Sequence, residues 1–268
     1  MKTASSSALL LGLFFFGQLQ ATAIEVPGFL EAYKAAERTA QNQARSLEYA
    51  KAIATWEAYA KKWSGERKAK HFLNRARKAT AHYEMMMQAW ARARKSPETS
   101  LGDLVKQVLE KPAMGAPKIS SEELYACFNF AKKHDKRLQV AADRVFPLRI
   151  EGAAGWKILT SNLAEEGKKL GMPFSFEDAP KKNRMRLKPV AEDAQGRIGP
   201  YHTPDLQVAK VQTQIQLIDT QNKVFQEFSV SRSGMGKTQE VARASGQKQI
   251  AQAIVKKLVT NLLTKVFP

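Results

Sequence analysis

Reactive side chains are scarce in this 268-residue chain, which has one cysteine, four histidines and 25 acidic residues against 43 basic ones. A single cysteine, Cys127, excludes an intramolecular disulfide. It stands among Leu124, Tyr125, Phe128 and Phe130, the setting of a small buried thiol, and pairing between two chains stays open only if it is exposed. His71, His82, His134 and His202 have no Cys, His or acid at ligand spacing, so no metal centre is expected. His71 and His82 read as helix-surface residues. His134 and Asp135 adjoin in sequence and therefore point apart on a helix, which removes them as a catalytic pair. Nucleophile, base and stabiliser cannot be named together, so no catalytic residue and no cofactor is assigned. Long apolar runs are missing as well. Beyond the first 23 residues no window approaches the roughly eighteen apolar residues of a spanning helix, which argues against an integral membrane protein.

The chain does begin with a recognisable pattern. Lys2 precedes the apolar run Ala8 to Gly17, and Gln18 to Ala23 ends in Ala21-Thr22-Ala23. This is the order of a secretory signal with a small-residue cleavage site after Ala23. The expectation is an exported protein, periplasmic or secreted, whose mature chain starts at Ile24. No Cys lies near that site, which argues against a lipid anchor.

The net charge of +18 is spread along the chain: residues 24–150 hold 24 Lys/Arg against 14 Asp/Glu, and residues 151–268 hold 18 against 11. Two segments concentrate it. Lys61, Lys62, Arg67, Lys68, Lys70, Arg75, Arg77 and Lys78 are opposed only by Glu66, and Lys181, Lys182, Arg184, Arg186 and Lys188 have no acid among them. Charge of this kind licenses solubility and steering by itself, and a binding face only if a polyanion is within reach. For an exported protein those polyanions are lipopolysaccharide, wall-linked polymer or phospholipid headgroups. Peripheral membrane contact is therefore open, whereas no specific nucleic-acid partner is expected.

From Phe29 to about Arg94 the sequence is Ala-rich with few Gly or Pro, and Ser64-Gly65 divides it. Tyr49, Ala52, Ile53, Trp56, Tyr59, Ala60 and Trp63 recur at helical spacing, and Phe72, Leu73, Ala76, Ala79 and Tyr83 continue the pattern. The Tyr-x-x-Ala-Ile-x-x-Trp core resembles the second helix of a tetratricopeptide unit. No clean recurrence of about 34 residues accompanies it, so a generic helical hairpin bundle stands beside that reading. Met85-Met86-Met87 with Trp90 reads as core packing. Leu101 to Leu109 is a short helix, Lys111 to Pro117 a break, and Ser120-Ser121-Glu122-Glu123 the start of a helix running to about Arg144.

Phe146 to Ile150, Phe174 to Phe176 and Met185 to Val190 are strand candidates, and Gly155 to Leu170 is a helix with Ile158, Leu159, Leu163 and Leu170 inward. Gly196 to Pro204 is a surface loop. The clearest stretch follows. Val211, Thr213, Ile215 and Leu217 alternate with Gln212, Gln214 and Gln216, Asp219 to Asn222 turns, and Lys223 to Val230 returns. Ser233 to Thr238 then leads into a helix to about Val266, with Val241, Ile250, Ile254, Leu258, Leu262 and Val266 on one stripe. Strand, Gly-Met-Gly-Lys-Thr and helix is also the order of a P-loop, yet the Gly required five residues before Gly236 is Ser231.

The segment "IQLIDTQNKVFQEFSVSRSGMGKT" followed by "ARASGQKQIAQAIVKKLVTNLL" resembles the C-terminal part of bacterial envelope proteins of the curli-secretion lipoprotein and TolB amino-terminal type. Over about sixty residues the resemblance implies a fold class and an envelope setting, and it carries no active site. Those families commonly have Gly in the turn where Gln221-Asn222 stands here, and the absent lipid-anchoring Cys is a further departure.

The expected architecture is α+β or α/β: a helical hairpin region, then a small sheet covered by helices, ending in a β-hairpin and a long C-terminal helix. Its layout is a signal peptide at 1–23, a helical region at 24–112, linker and helix at 113–145, and a C-terminal α/β domain at 146–268. The functional expectation is a non-enzymatic envelope module for interaction or assembly, with an envelope protein or an anionic envelope polymer as partner. The alternatives are an exported enzyme on an anionic envelope substrate, with its cleft between the 196–204 loop and the polar ends of the last two strands, and, more remotely, a nucleotide-binding protein through the degenerate P-loop at Gly234 to Thr238.

Overall fold

Alternating apolar positions at spacings of three and four build the first half as successive helices, each packed on the next: α1 (Gly28–Arg45), α2 (Tyr49–Trp63), α3 (Lys70–Lys95) and α4 (Pro97–Leu109). The computed structural model describes residues 28–146, 148–152, 156–172, 174–175, 183–196 and 206–268, with backbone alone at 175 and 189–196. The signal segment, Lys181, Lys182, His202 and most of the 196–204 loop lie outside the described residues.

Two helix boundaries differ from the sequence reading. Leu47 has φ +60°, and its N–H and that of Glu48 bond back to the carbonyls of Ala44 and Gln43 at 2.8 and 2.9 Å. This is a Schellman ending with Leu in the position Gly usually takes, so no glycine marked the break between α1 and α2. The helix expected to reach Arg144 is two helices, α5 (Ser121–His134) and α6 (Lys136–Val145). Asp135 ends the first with an extended backbone and opens the second by accepting from the N–H groups of Arg137 and Leu138 at 2.8 and 3.2 Å. At the start of α5, Ser120 and Glu123 form a reciprocal capping box.

The second half is mixed. Strands β1 (Leu148–Glu151), β2 (Phe174–Ser175), β3 (Arg184–Gly196), β4 (Gln207–Ile218) and β5 (Val224–Gly236) form one sheet in the order β2-β1-β3-β4-β5. β1 is parallel to β2 and β3, and β3, β4 and β5 are antiparallel. The β4–β5 turn is as the sequence implies: Asp219 Oδ1 accepts from Gln221 and Lys223 N–H at 2.9 and 2.8 Å, and Asn222 takes φ +66°.

Helix α7 (Lys157–Lys169) and the long α8 (Gln239–Val266) pack together, and α8 lies along β4 and β5. Met185, Leu187, Val211, Thr213, Ile215, Leu217, Phe228 and Val230 are buried on the side that meets them. Ile250, Ile254, Leu258 and Leu262 of α8 are buried there as expected. Val241, at the start of the helix, and Ile158 in α7 are exposed instead. One continuous apolar core runs from Tyr33 in α1 to Leu263 in α8. The fold is mixed α+β and ends in the expected hairpin and long helix.

Candidate functional site

The basic segment 61–78 folds into a corner. Lys61 and Lys62 occupy the last turn of α2, where cations suit the negative end of the helix dipole. The chain turns at 64–66, passes through a 3-10 turn at Arg67–Ala69 and enters α3 at Lys70. The Glu66 carboxylate is spent on the backbone N–H of Lys68 at 3.0 Å. Lys70 and its neighbours Arg67 and Lys68 therefore crowd the positive end of α3, whose first turn contains no acid. All eight cations of the segment are exposed. Among the described residues none of them has a carboxylate partner.

Three of the eight have other contacts. Lys62 lies over the Trp63 ring at 5.3 Å, and Lys78 donates to the Met114 carbonyl at 3.0 Å, tying the 113–118 loop to α3. Arg75 lies 5.6 Å over the ring of Tyr33. His71, Asn74, Arg75 and Lys78 follow the i, i+3, i+4, i+7 stripe of one helix face and, with Arg77, line a shallow basin of about 420 Å³.

Arg184, Arg186 and Lys188 alternate along β3 on the face opposite Met185 and Leu187. Residue order shows no acid among them, but the sheet supplies one from β1. Glu151, paired with Arg186 in register, places its carboxylate 3.2 Å from Arg184, 3.6 Å from Arg186 and 3.8 Å from Arg149. Arg184 also donates to the side-chain oxygen of Asn222. Much of that charge is therefore answered within the protein, and Lys188 is exposed, with no carboxylate partner among the described residues.

A cleft of about 520 Å³ opens beside Arg75, between α1, α2, α3 and the 115–120 loop. Tyr33, Glu37, Arg45, Trp56, Arg75, Tyr83 and Glu123 bring both donors and acceptors to it. Glu123 is 3% exposed; Tyr49 donates to it at 2.8 Å and Ser120 N–H at 2.9 Å. Burial raises its pKa against those two hydrogen bonds. Tyr33 donates to Glu37 at 3.1 Å. Tyr83 is 2% exposed, and its hydroxyl has no partner among the described residues. Helical spacing marks Tyr83 and Trp56 as core, and both are buried; the cleft has no sequence signal, because its walls come from segments up to 90 residues apart and no short motif joins them.

The other sequence candidates resolve differently. Gly234-Met235-Gly236 belongs to β5 and pairs with Ala209, Val208 and Gln207, so its backbone is committed to a strand and does not form a phosphate-wrapping loop. Ser229, Ser231 and Ser233 lie on that strand. Of the histidines, His71 is exposed as expected, His134 lies against Phe130 with centroids 4.5 Å apart and the rings tilted by 42°, and His82 is buried, which corrects the surface expectation for that residue. In the methionine cluster Met86 is fully buried, whereas Met85 and Met87 are exposed. Cys127 is buried, which raises its thiol pKa to about 12 and leaves it no route to an intermolecular disulfide. Among the described residues no helix is long and apolar enough to cross a membrane, and no group of three His, Cys, Asp or Glu could hold a metal ion.

No known protein family matches the sequence, and no curated protein matches it either. Among solved structures, a minor lipoprotein from Acinetobacter baumannii is 15% identical, with a TM-score of 0.32 over 42% of this chain and 92% of its own. A protein of Caulobacter crescentus described as a lipoprotein is 14% identical, with a TM-score of 0.33 over 48% of this chain and 94% of its own. Likeness at this level assigns neither a fold family nor an activity to the chain.

Proposed function

We propose that this is an exported cell-envelope protein that works by binding, and that the α2–α3 corner is its contact surface for an anionic envelope polymer. The observation that carries the reading is the entry to α3. Arg67, Lys68 and Lys70 sit where the helix dipole disfavours cations, by a few tenths of a kcal/mol each when exposed, with no acid in the first turn. Folding alone gives no reason for that placement. A polyanion seated there would meet the cations and the positive end of the helix dipole together. The leader-like pattern at 1–23 and the envelope resemblance of the C-terminal segment support the setting.

The test uses the full mature chain and lipopolysaccharide, with the charge-reduced variant K61Q/R67Q/K68Q/K70Q. Arg75 is left in place because it stacks on Tyr33 and lines the cleft. A cation near an anionic surface contributes about 1 kcal/mol, so the variant should bind at least about tenfold more weakly at low salt. Its melting temperature should be unchanged. The wild-type affinity should fall steeply between low and physiological salt. Equal binding by variant and wild type at low salt would reduce the corner to a solvated face.

A further inference from the structure

We propose that the cleft beside Arg75 is a binding site for a sugar acid, taking a hexuronate unit such as the end of an acidic glycan. The proposal rests on the reading above only for the anionic character of the polymer, since the cleft and the corner are separate surfaces that meet at Arg75. Tyr83 is the first reason. Its side chain is 2% exposed and lines the cleft, and its hydroxyl, which bonds no group among the described residues and is not itself fully enclosed, is left open to a ligand there. Burial, with Glu123 and Glu37 nearby, raises its pKa far above working pH and keeps that hydroxyl neutral, able to donate and accept.

The mixture of charges in the walls narrows the ligand class. Glu37 offers acceptor oxygens, and Arg45, Arg75 and Lys118 offer donors with positive charge. A simple anion would meet Glu37, and a simple cation would meet the two arginines and the lysine. An apolar molecule would desolvate all of them without return. A ligand that presents hydroxyls around a ring and a single carboxylate at one end satisfies both sets, with the carboxylate at Arg75 or Arg45 and hydroxyls at Glu37 and Tyr83. The cleft volume of about 520 Å³ lies within the range of small-ligand pockets, roughly 300–1,000 Å³. Arg75 also lines the basin on the outer face of α3, so a chain whose end occupies the cleft would leave directly across the basic corner.

The experiment titrates the full mature chain with glucuronate, glucose and a short neutral peptide ending in a free carboxylate, following Trp56-sensitive fluorescence and calorimetry in 0.5 M salt. High salt suppresses the long-range attraction of the corner and leaves the short-range hydrogen bonds in the cleft. Glucuronate should bind saturably and at least about fivefold more tightly than glucose. Tyr83→Phe, which removes only the hydroxyl, should weaken it about fivefold with an unchanged melting temperature, and Glu37→Gln should act likewise. The charge-reduced corner variant should keep monosaccharide binding even where it loses lipopolysaccharide, which separates the two proposals. Absence of saturable glucuronate binding, equal binding by Tyr83→Phe, or preference for the peptide would each overturn the assignment.

Discussion

His82 packs against the core of α3 at 7% exposure, with its Nε2 buried and without a partner among the described residues, while Lys78, Glu110 and Lys111 line the cavity beside it. Burial lowers its pKa from the ordinary value of about 6.5. Below that pH the unfolded chain takes up a proton that the folded chain refuses, so folding stability is lost as pH falls from about 6.5 toward the depressed value. His82→Leu keeps the volume and removes the titration. Urea unfolding at pH 7.5 and 5.5 should therefore show a smaller loss on acidification in the variant than in the wild type. An identical pH dependence would mean that the ring is protonated in the fold. Glu123 acts in the opposite sense in its own window, because its pKa is raised, so the comparison must be made on the His82 difference alone. Neither position announces itself in the sequence: a lone His at helical spacing looks the same on either face. Leu47 is similar, since a positive φ at a non-glycine residue leaves no trace in residue order.

The meeting of α8 with the hairpin explains the glycines that mimic a P-loop. A Cβ at Gly234 would run into the Ala242 carbonyl oxygen and the Gly246 backbone, one at Gly236 would come 2.6 Å from Val241 Cγ1, and one at Gly246 would come 2.7 Å from Val211 Cγ2. These residues let helix and strands approach backbone to backbone. Gly234→Ala has no flexible side chain to displace, so it should cost roughly 2–3 kcal/mol by urea denaturation. Gly65→Ala, with open space around it, is the control and should be neutral or stabilising by up to about 1 kcal/mol. A Gly234→Ala variant as stable as the control would show that α8 does not press on β5. Most of this element was readable: alternation gave β4, the Asp219–Asn222 turn gave the hairpin, and the apolar stripe gave α8. Its start was not, because β5 runs on to Gly236 through residues whose turn-like composition conceals a strand under a helix.

Across the whole molecule the core is continuous from the helices to the sheet, and Cys127 lies fully inside it, between α5 neighbours Leu124 and Phe128 that are equally buried. With its thiol pKa pushed up to about 12 by burial, it should not react with a thiol reagent at pH 8 in the folded protein. Its modification rate across a urea series should follow global unfolding measured by circular dichroism. Fast modification in native buffer would place an opening around α5 well below the global transition.

What the sequence by itself determined is whatever depends on neighbours along the chain. Helical spacing set α2 and α3, the Ser120 to Glu123 capping box set the start of α5, alternation set β4, and residue counts excluded an intramolecular disulfide. The tertiary structure decided whatever depends on residues far apart. It brought Glu151 from another strand to answer Arg184 and Arg186, left the 61–78 cations without a carboxylate partner among the described residues, and placed Arg75 over the ring of Tyr33. It also closed Tyr83, Glu37 and Glu123 from three helices around one cleft. Electrostatics and enclosure act through space over a few ångströms, and a site made of such contacts has no signature in residue order.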